Sequence, residues 1–348
     1  MKSLSGQGPD LRPRPTMRDV AALAGVSLKT VSRVINGETT VAPDLAARVD
    51  RAARALDYRP NLTARSLRSS DGRTRTIGLL LENVANPFSS ALHRAVEDVA
   101  SPRGIAVFAG SVDEDPDRER ALALALVARR VDGLIIVPAG EDQSYLANEQ
   151  RVGLSLVFAD RPPRLLRADS VVSANAAGAQ VAVRHLVAAG HRRIAFLGDL
   201  RQIATVAERY AGYRETLSQS GIEFDDQLVR FDLHSAEAAE AATRSLIAAL
   251  RPTALFATQN LITIGAVRAL RELGRQESVA LVGFDDFSLA DMLQPAVTVV
   301  AQDPATIGAT ACRVLFERMD GDASPPREHS VPTRLIPRGS GEIAPAAG

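Results

Sequence analysis

Short apolar segments alternate with amphipathic stretches from Thr76 to about residue 301, and this alternation constrains the fold more than any other feature of the chain. Continuous apolar runs of strand length are typical of parallel strands that are covered on both faces. Strands that alternate with helices predict an α/β fold built on parallel sheets. The apolar segments are TIGLLL, IAVFAG, GLIIVP, LSLVFA, RIAFLG, ALFAT and VALVGF, and the helical stretches are 88–101, 115–130, 174–189, 206–219, 236–250 and 261–273.

The alternation occurs in two rounds, at about 76–172 and 173–301. A chain of 348 residues is long enough for two or three domain cores. We therefore expect two similar subdomains, each a doubly wound parallel sheet, with a cleft between them. Ligands of such sheets bind outside the carboxyl ends of the strands.

The first sixty residues have a different pattern, which is that of short helices. Thr16 and Asp19 have the spacing of a capping box, and the helix that they begin ends at Gly25. Ser27 is a good N-cap for a second helix, and Pro43 opens a third. Two short helices joined by a tight glycine turn form a helix-turn-helix, and the third helix closes an all-α headpiece. The second and third helices are predicted over about 28–36 and 43–56.

The charge of the chain is divided unevenly, although it sums to zero. Residues 1–75 contain 14 Lys and Arg against 7 Asp and Glu, and the remainder contains 27 against 34. A polyphosphate partner selects a basic segment of this kind, because neutralising phosphates dominates nucleic-acid affinity. A basic tail without a partner is the alternative that charge alone leaves open.

The start of the second helix is the part that a helix-turn-helix protein places in the major groove. Its outer face carries Leu28, Lys29, Ser32 and Arg33. Lys29 can donate to guanine O6 and N7, and Arg33 can reach phosphate or guanine. For the helix pair taken alone, a plain helical hairpin is the alternative.

A dense and ordered set of motifs covers this segment: DVAxxAGVSxxTVSRVING, then YRPN, then a stretch that ends in Ser-Leu-Arg. With these motifs, TMRDVAALAGVSLKTVSRVINGETTVAPDLAARVDRAARALDYRPNLTARSLR resembles the amino terminus of the LacI–GalR family of transcription regulators. The resemblance implies a homodimer on a palindromic DNA operator, with residues 58–61 closing the headpiece and residues 61–68 forming a hinge helix in the minor groove. The expected DNA-contacting residues are Thr16, Ser27, Leu28, Lys29, Thr30, Ser32, Arg33, Asn36, Tyr58, Asn61, Ala64 and Leu67.

The expected hinge helix, residues 61–68, is shorter than the roughly 12–15 residues at which isolated helices become marginally stable. We therefore expect it to be disordered in the free protein and helical only on DNA. Leu67 is a candidate wedge between base steps, and Ala64 is small enough for two hinges to approach closely. A soluble linker is the alternative. The sequence departs from the family at Ala42, where Ser or Thr is usual, and loss of that helix cap predicts a less stable headpiece.

The resemblance extends from Thr16 to about Arg338 and includes a core similar to sugar-binding proteins. It implies that Asp285, in VGFDD, accepts ligand hydroxyl hydrogens and that Arg209, in ERYAGY, binds the ligand. Carboxylates, amides and an arginine at strand ends suit a sugar-like effector, because hydroxyls both donate and accept. The alternative is that Asp and Asn after strands are only helix N-caps. The candidate effector residues are Asn86, Phe88, Asp160, Arg161, Arg209, Gln259, Asn260, Asp285 and Gln302.

Position 259 departs from the family, which usually has Asn-Asp where this chain has Gln259-Asn260. The missing carboxylate could change the ligand or the contact between lobes. Phe88 could stack on the apolar face of a sugar.

Other functional classes lack their motifs. The chain has no GxSxG, GxxxxGK[ST], HExxH or strand-linked GxGxxG sequence, so we expect no enzyme. Its one cysteine, Cys312, and its dispersed histidines predict neither a disulfide nor a metal site, and we expect no cofactor. A solute-binding protein for transport would need a signal peptide, which residues 1–16 do not resemble. We expect a cytoplasmic homodimer at the nucleoid that does not bind membranes.

The predicted domains are a disordered tail (1–15), a helix-turn-helix headpiece (16–60), a hinge helix and linker (61–75) and an effector-binding and dimerisation core (76–342). Within the core, the expected amino-terminal subdomain comprises about 76–172 and 303–331, and the expected carboxyl-terminal subdomain comprises about 173–301 and 332–342.

Overall fold

The computed structural model of the chain describes residues 15–35, 38, 40–59 and 73–346. These residues form two units that divide between Thr74 and Arg75, a small headpiece and a larger core. The predicted hinge helix, residues 61–68, and all of the predicted tail except Pro15 lie outside the described residues.

The headpiece is built from α1 (Met17–Ala24), α2 (Leu28–Ile35) and α3 (Pro43–Ala55). A capping box between Thr16 and Asp19 begins α1, and a left-handed glycine, Gly25, ends it. The three helices meet at a small apolar core whose centre is formed by fully buried valines. The predicted helix-turn-helix and third helix are confirmed, with α3 ending one residue before Leu56. The buried valines are Val20, Val31 and Val49.

Contacts at two helix ends affect the stability of the headpiece. Arg48 Nη2 donates to the carbonyl oxygens of Ala24 and Gly25, at 2.7 and 3.2 Å, which the end of α1 leaves without helical partners. Ala42, at the N-cap of α3, provides no side-chain hydrogen bond. The headpiece therefore lacks a cap that contributes about 1 kcal/mol in helices that have one.

The core alternates strands and helices. Its strands are β1 (Thr76–Leu81), β2 (Ala106–Ser111), β3 (Gly133–Ile136), β4 (Ser155–Asp160), β5 (Asp169–Ser173), β6 (Ile194–Leu197), β7 (Val229–Arg230), β8 (Ala254–Ala257), β9 (Ala280–Phe284), β10 (Thr298–Ala301), β11 (Glu328–Val331) and β12 (Arg334–Ile336). Its helices are α4 (Pro87–Ala100), α5 (Pro116–Ala128), α6 (Ala147–Arg151), α7 (Asn175–Ala188), α8 (Ala204–Gln219), α9 (Ala236–Leu250), α10 (Asn260–Glu272) and α11 (Pro304–Met319).

The first lobe is a six-stranded parallel sheet with the order β11-β5-β4-β3-β1-β2. Helices α4 and α11 pack together on one face, where Leu92 and Leu315 join the apolar side chains of the central strands. Helix α5 covers the other face with Ala123, opposite Leu134 and Phe158. The sheet is therefore buried between two helical layers.

The second lobe is a six-stranded sheet with the order β12-β10-β9-β8-β6-β7, in which only β12 runs antiparallel to its neighbour. Helices α7 and α8 cover one face, and α9 and α10 cover the other. Both helix pairs pack closely at a glycine. An added Cβ at Gly212 or Gly265 would lie 2.3 Å from the carbonyl oxygen of Ala176 or Ala236, so only glycine fits at these positions.

Within the described core the chain passes between lobes three times, after β5, β10 and β11. These crossings place the two sheets side by side with their carboxyl-terminal strand ends facing a common cleft. The predicted fold class, a helix-turn-helix headpiece with two doubly wound parallel-sheet subdomains, is confirmed.

One strand departs from the sequence prediction. The segment IAVFAG was expected to be buried, but β2 is the edge strand of the first sheet and is largely exposed. Phe108 on this strand is 49 % exposed. An apolar run indicates a strand but does not determine whether it lies in the centre of the sheet or at its edge, and this explains the error. None of the helices in the described residues is long and apolar enough to cross a membrane.

Candidate functional sites

The amino-terminal part of α2 presents polar residues to solvent. Ser27 caps the helix, because its Oγ accepts a hydrogen bond from the Thr30 backbone N–H at 3.1 Å. Val31 is buried in the headpiece core, while Leu28 and Lys29 are exposed. Lys29 forms no ion pair with any described residue. The ammonium group is therefore available to donate to base edges in a major groove.

Arg33 pairs with residues of the headpiece, although its side chain remains 36 % exposed. Its Nε lies 2.7 Å from Glu38 Oε2, and its Nη2 donates to Thr40 Oγ1. Both partners lie beyond the end of α2, so helical spacing gave no indication of them. Neither contact uses Arg33 Nη1, and the role of Arg33 in DNA binding stays a prediction.

The remaining predicted DNA contacts have varied surroundings. Thr16 donates from Oγ1 to Asp19 Oδ2 at 2.8 Å, and Tyr58 packs against the headpiece core. Thr30 and Ser32 are half-buried on α2. The other predicted contacts, Asn36, Asn61, Ala64 and Leu67, lie outside the described residues.

A cavity of about 530 Å³ lies between the lobes of the core, at the carboxyl-terminal strand ends. Eight of the nine predicted effector residues line it: Asn86, Phe88, Asp160, Arg161, Arg209, Gln259, Asp285 and Gln302. The sequence analysis missed three acidic residues of the lining, Glu82, Glu114 and Asp199.

The ninth residue, Asn260, is buried beside the cavity and connects the lobes. Its Nδ2 donates to Asn86 Oδ1 at 3.0 Å, from the second lobe to the first. Asn86 Oδ1 also accepts from the Phe88 N–H at 3.1 Å, and Gln259 Oε1 accepts from the Leu261 N–H at 3.1 Å. The helix-cap alternative therefore holds for Asn86 and Gln259, although both residues still line the cavity.

Two buried aspartates occupy corresponding positions in the two lobes. Asp160 ends β4 and Asp285 follows β9, and both have left-handed backbones, with φ of 65° and 70°. Burial raises the pKa of each carboxyl group, while the positive charge of Arg209 acts in the opposite direction on both pKa values. The cavity thus holds carboxylate acceptors from both lobes, which a bridging ligand could use.

Gln302 supports one of these aspartates. Its Nε2 donates to Asp285 Oδ1, which leaves Gln302 Oε1 buried without a hydrogen-bond partner in the described structure. Native proteins seldom leave such groups unpaired. An unpaired acceptor that lines a cavity is expected to receive a hydrogen bond from a ligand or from water.

Arg209, on α8, is fixed by the protein on three sides. Its Nε donates to Asn175 Oδ1 at 2.9 Å, its Nη1 donates to the Thr258 carbonyl at 2.6 Å, and its guanidinium carbon lies 3.9 Å from the centre of the Phe284 ring. Burial lowers the pKa of Arg209, against the charges of Asp285 and Asp160. Its Nη2 makes no hydrogen bond to a described residue, so it remains a donor for a ligand.

Arg161 forms a bidentate ion pair with Glu114. The distances are 2.6 Å from Nη2 to Oε1 and 2.7 Å from Nη1 to Oε2, and the two side chains are 10 % and 5 % exposed. Burial acts to lower the pKa of Arg161, but its hydrogen bonds with Glu114 outweigh burial and raise it. Arg161 Nε has no hydrogen-bond partner and lies 3.4 Å from Asp160 Oδ2.

Glu82 is a carboxyl group of the cavity whose pKa is strongly raised. Burial, together with the charge of Glu114, raises the pKa of Glu82 to about 7. Its Oε2 accepts only a long hydrogen bond, 3.4 Å, from Asn86 Nδ2. Glu82 directly follows β1. The sequence analysis selected other site residues because they follow strands, and the same criterion could have identified Glu82.

Asp199, after β6, is paired on the second lobe. Its Oδ1 lies 2.8 Å from His234 Nδ1 and accepts from the Leu200 N–H at 2.7 Å. The hydrogen bond to Asp199 raises the pKa of His234. This pair adds another carboxylate and a titratable cation to the surroundings of the cavity.

The lining combines this polar set with a limited apolar surface. Phe88 is the one aromatic residue among those that line the cavity in the described structure, and Val137, Ile203 and Val206 accompany it. Such a combination can bind a ligand that has many hydroxyl groups and one apolar face.

Comparisons with known proteins agree with this architecture. Residues 16–61 match the family model "Bacterial regulatory proteins, lacI family", and residues 183–341 match "Periplasmic binding protein-like domain". The HTH-type transcriptional regulator CelR of Thermobifida fusca is 34 % identical over 340 residues, which cover 95 % of this chain and 99 % of that protein.

Solved structures show the same similarity. The structure of a CelR–cellobiose complex is 32 % identical with a TM-score of 0.70, and covers 94 % of this chain and 100 % of that one. The lac repressor dimer bound to operator and the anti-inducer ONPF is 27 % identical with a TM-score of 0.85, and covers 95 % of this chain and 100 % of that one.

A helix-turn-helix headpiece together with a two-lobed, periplasmic-binding-protein-like core defines the class of ligand-responsive DNA-binding proteins. Within that class, the chain belongs to the lacI family of bacterial regulatory proteins and is a transcriptional regulator.

Proposed function

We propose that the chain is a repressor that binds a palindromic operator as a homodimer, and that a sugar-like effector in the cleft between the lobes sets its affinity for DNA. The observation that carries this proposal is the convergence of Asp160, Arg209, Asp285 and Gln302 on one cavity, in a chain that also has a helix-turn-helix. The two functions belong to different units of one polypeptide, which is the arrangement that allosteric control requires.

The donor and acceptor groups of the cavity support a polyhydroxylated effector. Carboxylates and the free Gln302 Oε1 accept from hydroxyl hydrogens, and Arg209 Nη2 donates to hydroxyl oxygens. Phe88 offers an aromatic face to the carbon side of a sugar ring. The cellobiose bound in the CelR structure is a ligand of this chemical type.

We expect effector binding to affect DNA binding first through the arrangement of the two lobes. Residues of both lobes line the cavity, so a ligand held by Asp160 and Asp285 favours one lobe arrangement. The hydrogen bond from Asn260 to Asn86 is already a contact between lobes that such a change would affect. By the sequence argument, residues 61–68 form a helix too short to be stable alone, so a small free energy decides whether they order on DNA.

Exposed apolar side chains of the core support a homodimer. Phe108 on the edge strand β2 is 49 % exposed, and Leu289 and Met292, after β9, are 62 % and 73 % exposed. Contiguous apolar surface is typical of contacts between protein chains, and these three side chains are candidates for such a surface. A twofold dimer also presents two headpieces to the two halves of a palindrome.

We expect Lys29→Ala to relax sequence preference. The exposed Lys29 ammonium is placed to donate to a base, and such a contact contributes about 1–3 kcal/mol of discrimination. Affinity for the selected operator should fall by about 10-fold to 100-fold, while affinity for unrelated DNA should change little. Arg94→Ala, on the exposed face of α4, is the control. Equal losses on operator and unrelated DNA would show that Lys29 contacts only the backbone.

Operator binding itself is tested by selecting sites from random duplex DNA with the full-length protein, followed by fluorescence anisotropy at several salt concentrations. We expect a palindromic consensus and an affinity that falls steeply as salt increases. Binding that is absent or insensitive to salt would favour the two rival classes, a solute-binding protein or an α/β enzyme.

A further inference from the structure

The effector cavity is lined by more acidic side chains than basic ones. Five carboxyl groups face two guanidinium groups, those of Arg161 and Arg209. Neither lysine of the chain, Lys2 or Lys29, lies in the core, so no ammonium group can compensate. The carboxyl groups are those of Glu82, Glu114, Asp160, Asp199 and Asp285.

The two arginines are already engaged by the protein. Arg161 gives both terminal nitrogens to Glu114 and donates from Nη1 to the Pro138 carbonyl. Arg209 uses Nε and Nη1 for Asn175 and Thr258. Recognition of a phosphate or a carboxylate usually takes two parallel N–H groups of one arginine. In this cavity both terminal nitrogens of Arg161 already donate to the protein, and Nη2 is the one nitrogen of Arg209 that donates to no described residue.

Helix amino termini, the other common anion sites, do not compensate for this deficit. Asn86 accepts from the first turn of α4, and Gln259 accepts from the first turn of α10. Helix α8 begins at Ala204, and Ile203 at its N-cap has no capping side chain. The Val206 N–H donates to the Ile203 carbonyl at 3.1 Å, so the N–H groups of Ala204 and Thr205 are the ones that remain available. One helix amino terminus is equivalent to about half a positive charge, which is too little to balance the excess of carboxylates over guanidinium groups.

We propose that the effector is an uncharged polyhydroxylated molecule, and that the surplus of carboxylates excludes phosphorylated and carboxylated sugars from the cavity. This inference rests on the proposed effector site and specifies its ligand class. Glu82 is the main determinant of the exclusion, because Arg161 pairs with Glu114, His234 pairs with Asp199, and Arg209 faces Asp160 and Asp285. Among the described residues, Glu82 forms no ion pair and accepts only the long hydrogen bond from Asn86, and the charges of Arg161 and His234 act on it without direct contact.

The test compares matched sugars by isothermal titration calorimetry on the full-length protein at pH 8. The pairs are cellobiose with cellobionate, glucose with glucuronate, and ribose with ribose 5-phosphate. For each parent sugar that binds, we expect the anion to bind at least about 100-fold more weakly, because each uncompensated charge nearby contributes roughly 10-fold. An anion that binds as tightly as its parent would overturn the inference and leave the sugar-effector proposal standing.

Glu82→Gln separates charge from size. The variant retains the shape of the side chain and removes its charge. The ratio of the dissociation constants of the anion and its parent sugar should therefore fall about 10-fold at pH 8. Glu277→Gln, an exposed residue that does not line the cavity, should leave the difference unchanged. If Glu82→Gln also leaves the difference in affinity unchanged, Glu82 does not determine the exclusion and the inference is wrong.

A second arm uses the wild-type protein and needs no variant. The carboxylate of cellobionate or glucuronate stays charged between pH 8 and pH 6, whereas Glu82, with a pKa of about 7, gains a proton. Protonation of His234 acts in the same direction, and Glu114 and Arg161 stay paired. The difference in affinity between the parent sugar and its anion should therefore become smaller as pH falls. A constant difference would contradict the inference. If neither member of any pair binds, the sugar-effector proposal fails and the inference fails with it.

Discussion

Asp285→Asn is expected to weaken effector binding at least about 100-fold, which is the loss of one or two charged hydrogen bonds. The carboxylate is buried, accepts from Gln302, and faces Arg209 across the cavity lining. An amide replaces one acceptor oxygen by a donor and removes the negative charge that interacts electrostatically with Arg209. Asparagine tolerates the left-handed backbone at this position, where φ is 70°, so the fold should be retained.

The measurement is calorimetric titration with a sugar found by thermal-shift screening, together with DNA anisotropy. DNA affinity without effector should match the wild type, and the response to effector should be lost. Asp286→Asn is the matched control, because this adjacent carboxylate pairs with Arg338 at 2.7 Å and does not line the cavity. An unchanged effector affinity in Asp285→Asn would remove Asp285 from the site.

Arg161→Met is expected to lower the free energy of unfolding of the core by about 3–5 kcal/mol. The Glu114 side chain is 5 % exposed, and loss of the guanidinium leaves its carboxylate buried without its bidentate partner. Glu82 is nearby and carries the same charge when ionised, which adds to the cost. The change is measured by urea denaturation followed by circular dichroism at pH 8.

A second substitution separates charge from packing. In the double variant Arg161→Met with Glu114→Gln, position 114 no longer holds an unpaired buried charge, and Asp160 loses only its 3.4 Å contact with Arg161 Nε, so much of the lost stability should return. Arg94→Met breaks an exposed pair with Asp98, whose side chains are 73 % and 58 % exposed, and should cost less than about 0.5 kcal/mol. Arg161→Met would contradict the account if it cost no more than Arg94→Met.

The sequence predicted much of the fold because its patterns are local. Helix α1 follows from the capping box at Thr16 and the glycine at position 25, and both features depend on residues close in the chain. The central strands follow from continuous apolar runs. Five strands were not predicted. The strands β7 and β12 have only two or three residues, and polar residues interrupt the apolar run in β5, β10 and β11. The edge position of β2 depends on strand order, which apolar runs do not specify.

Part of the candidate site could also be predicted, because the positions of its residues follow from the ends of the predicted strands. Carboxyl ends of parallel strands meet at one edge, so residues such as Asp160 and Asp285 could be selected by position alone. Glu82 and Glu114 also follow strands, but the sequence does not show which polar side chains turn inward. The pairing of Arg33 with Glu38 depends on the loop after α2, which has no periodic pattern. The roles of all these residues stay predictions.

The account depends on coupling between the cleft and the DNA-binding headpiece, which is a thermodynamic quantity and acts equally in both directions. The most direct test measures four dissociation constants on the full-length protein: operator with and without the sugar, and sugar with and without operator. We expect the two ratios to agree and to differ from one by about 5-fold to 150-fold. Ratios equal to one, for a sugar that binds in the cleft and an operator that binds the headpiece, would contradict the account.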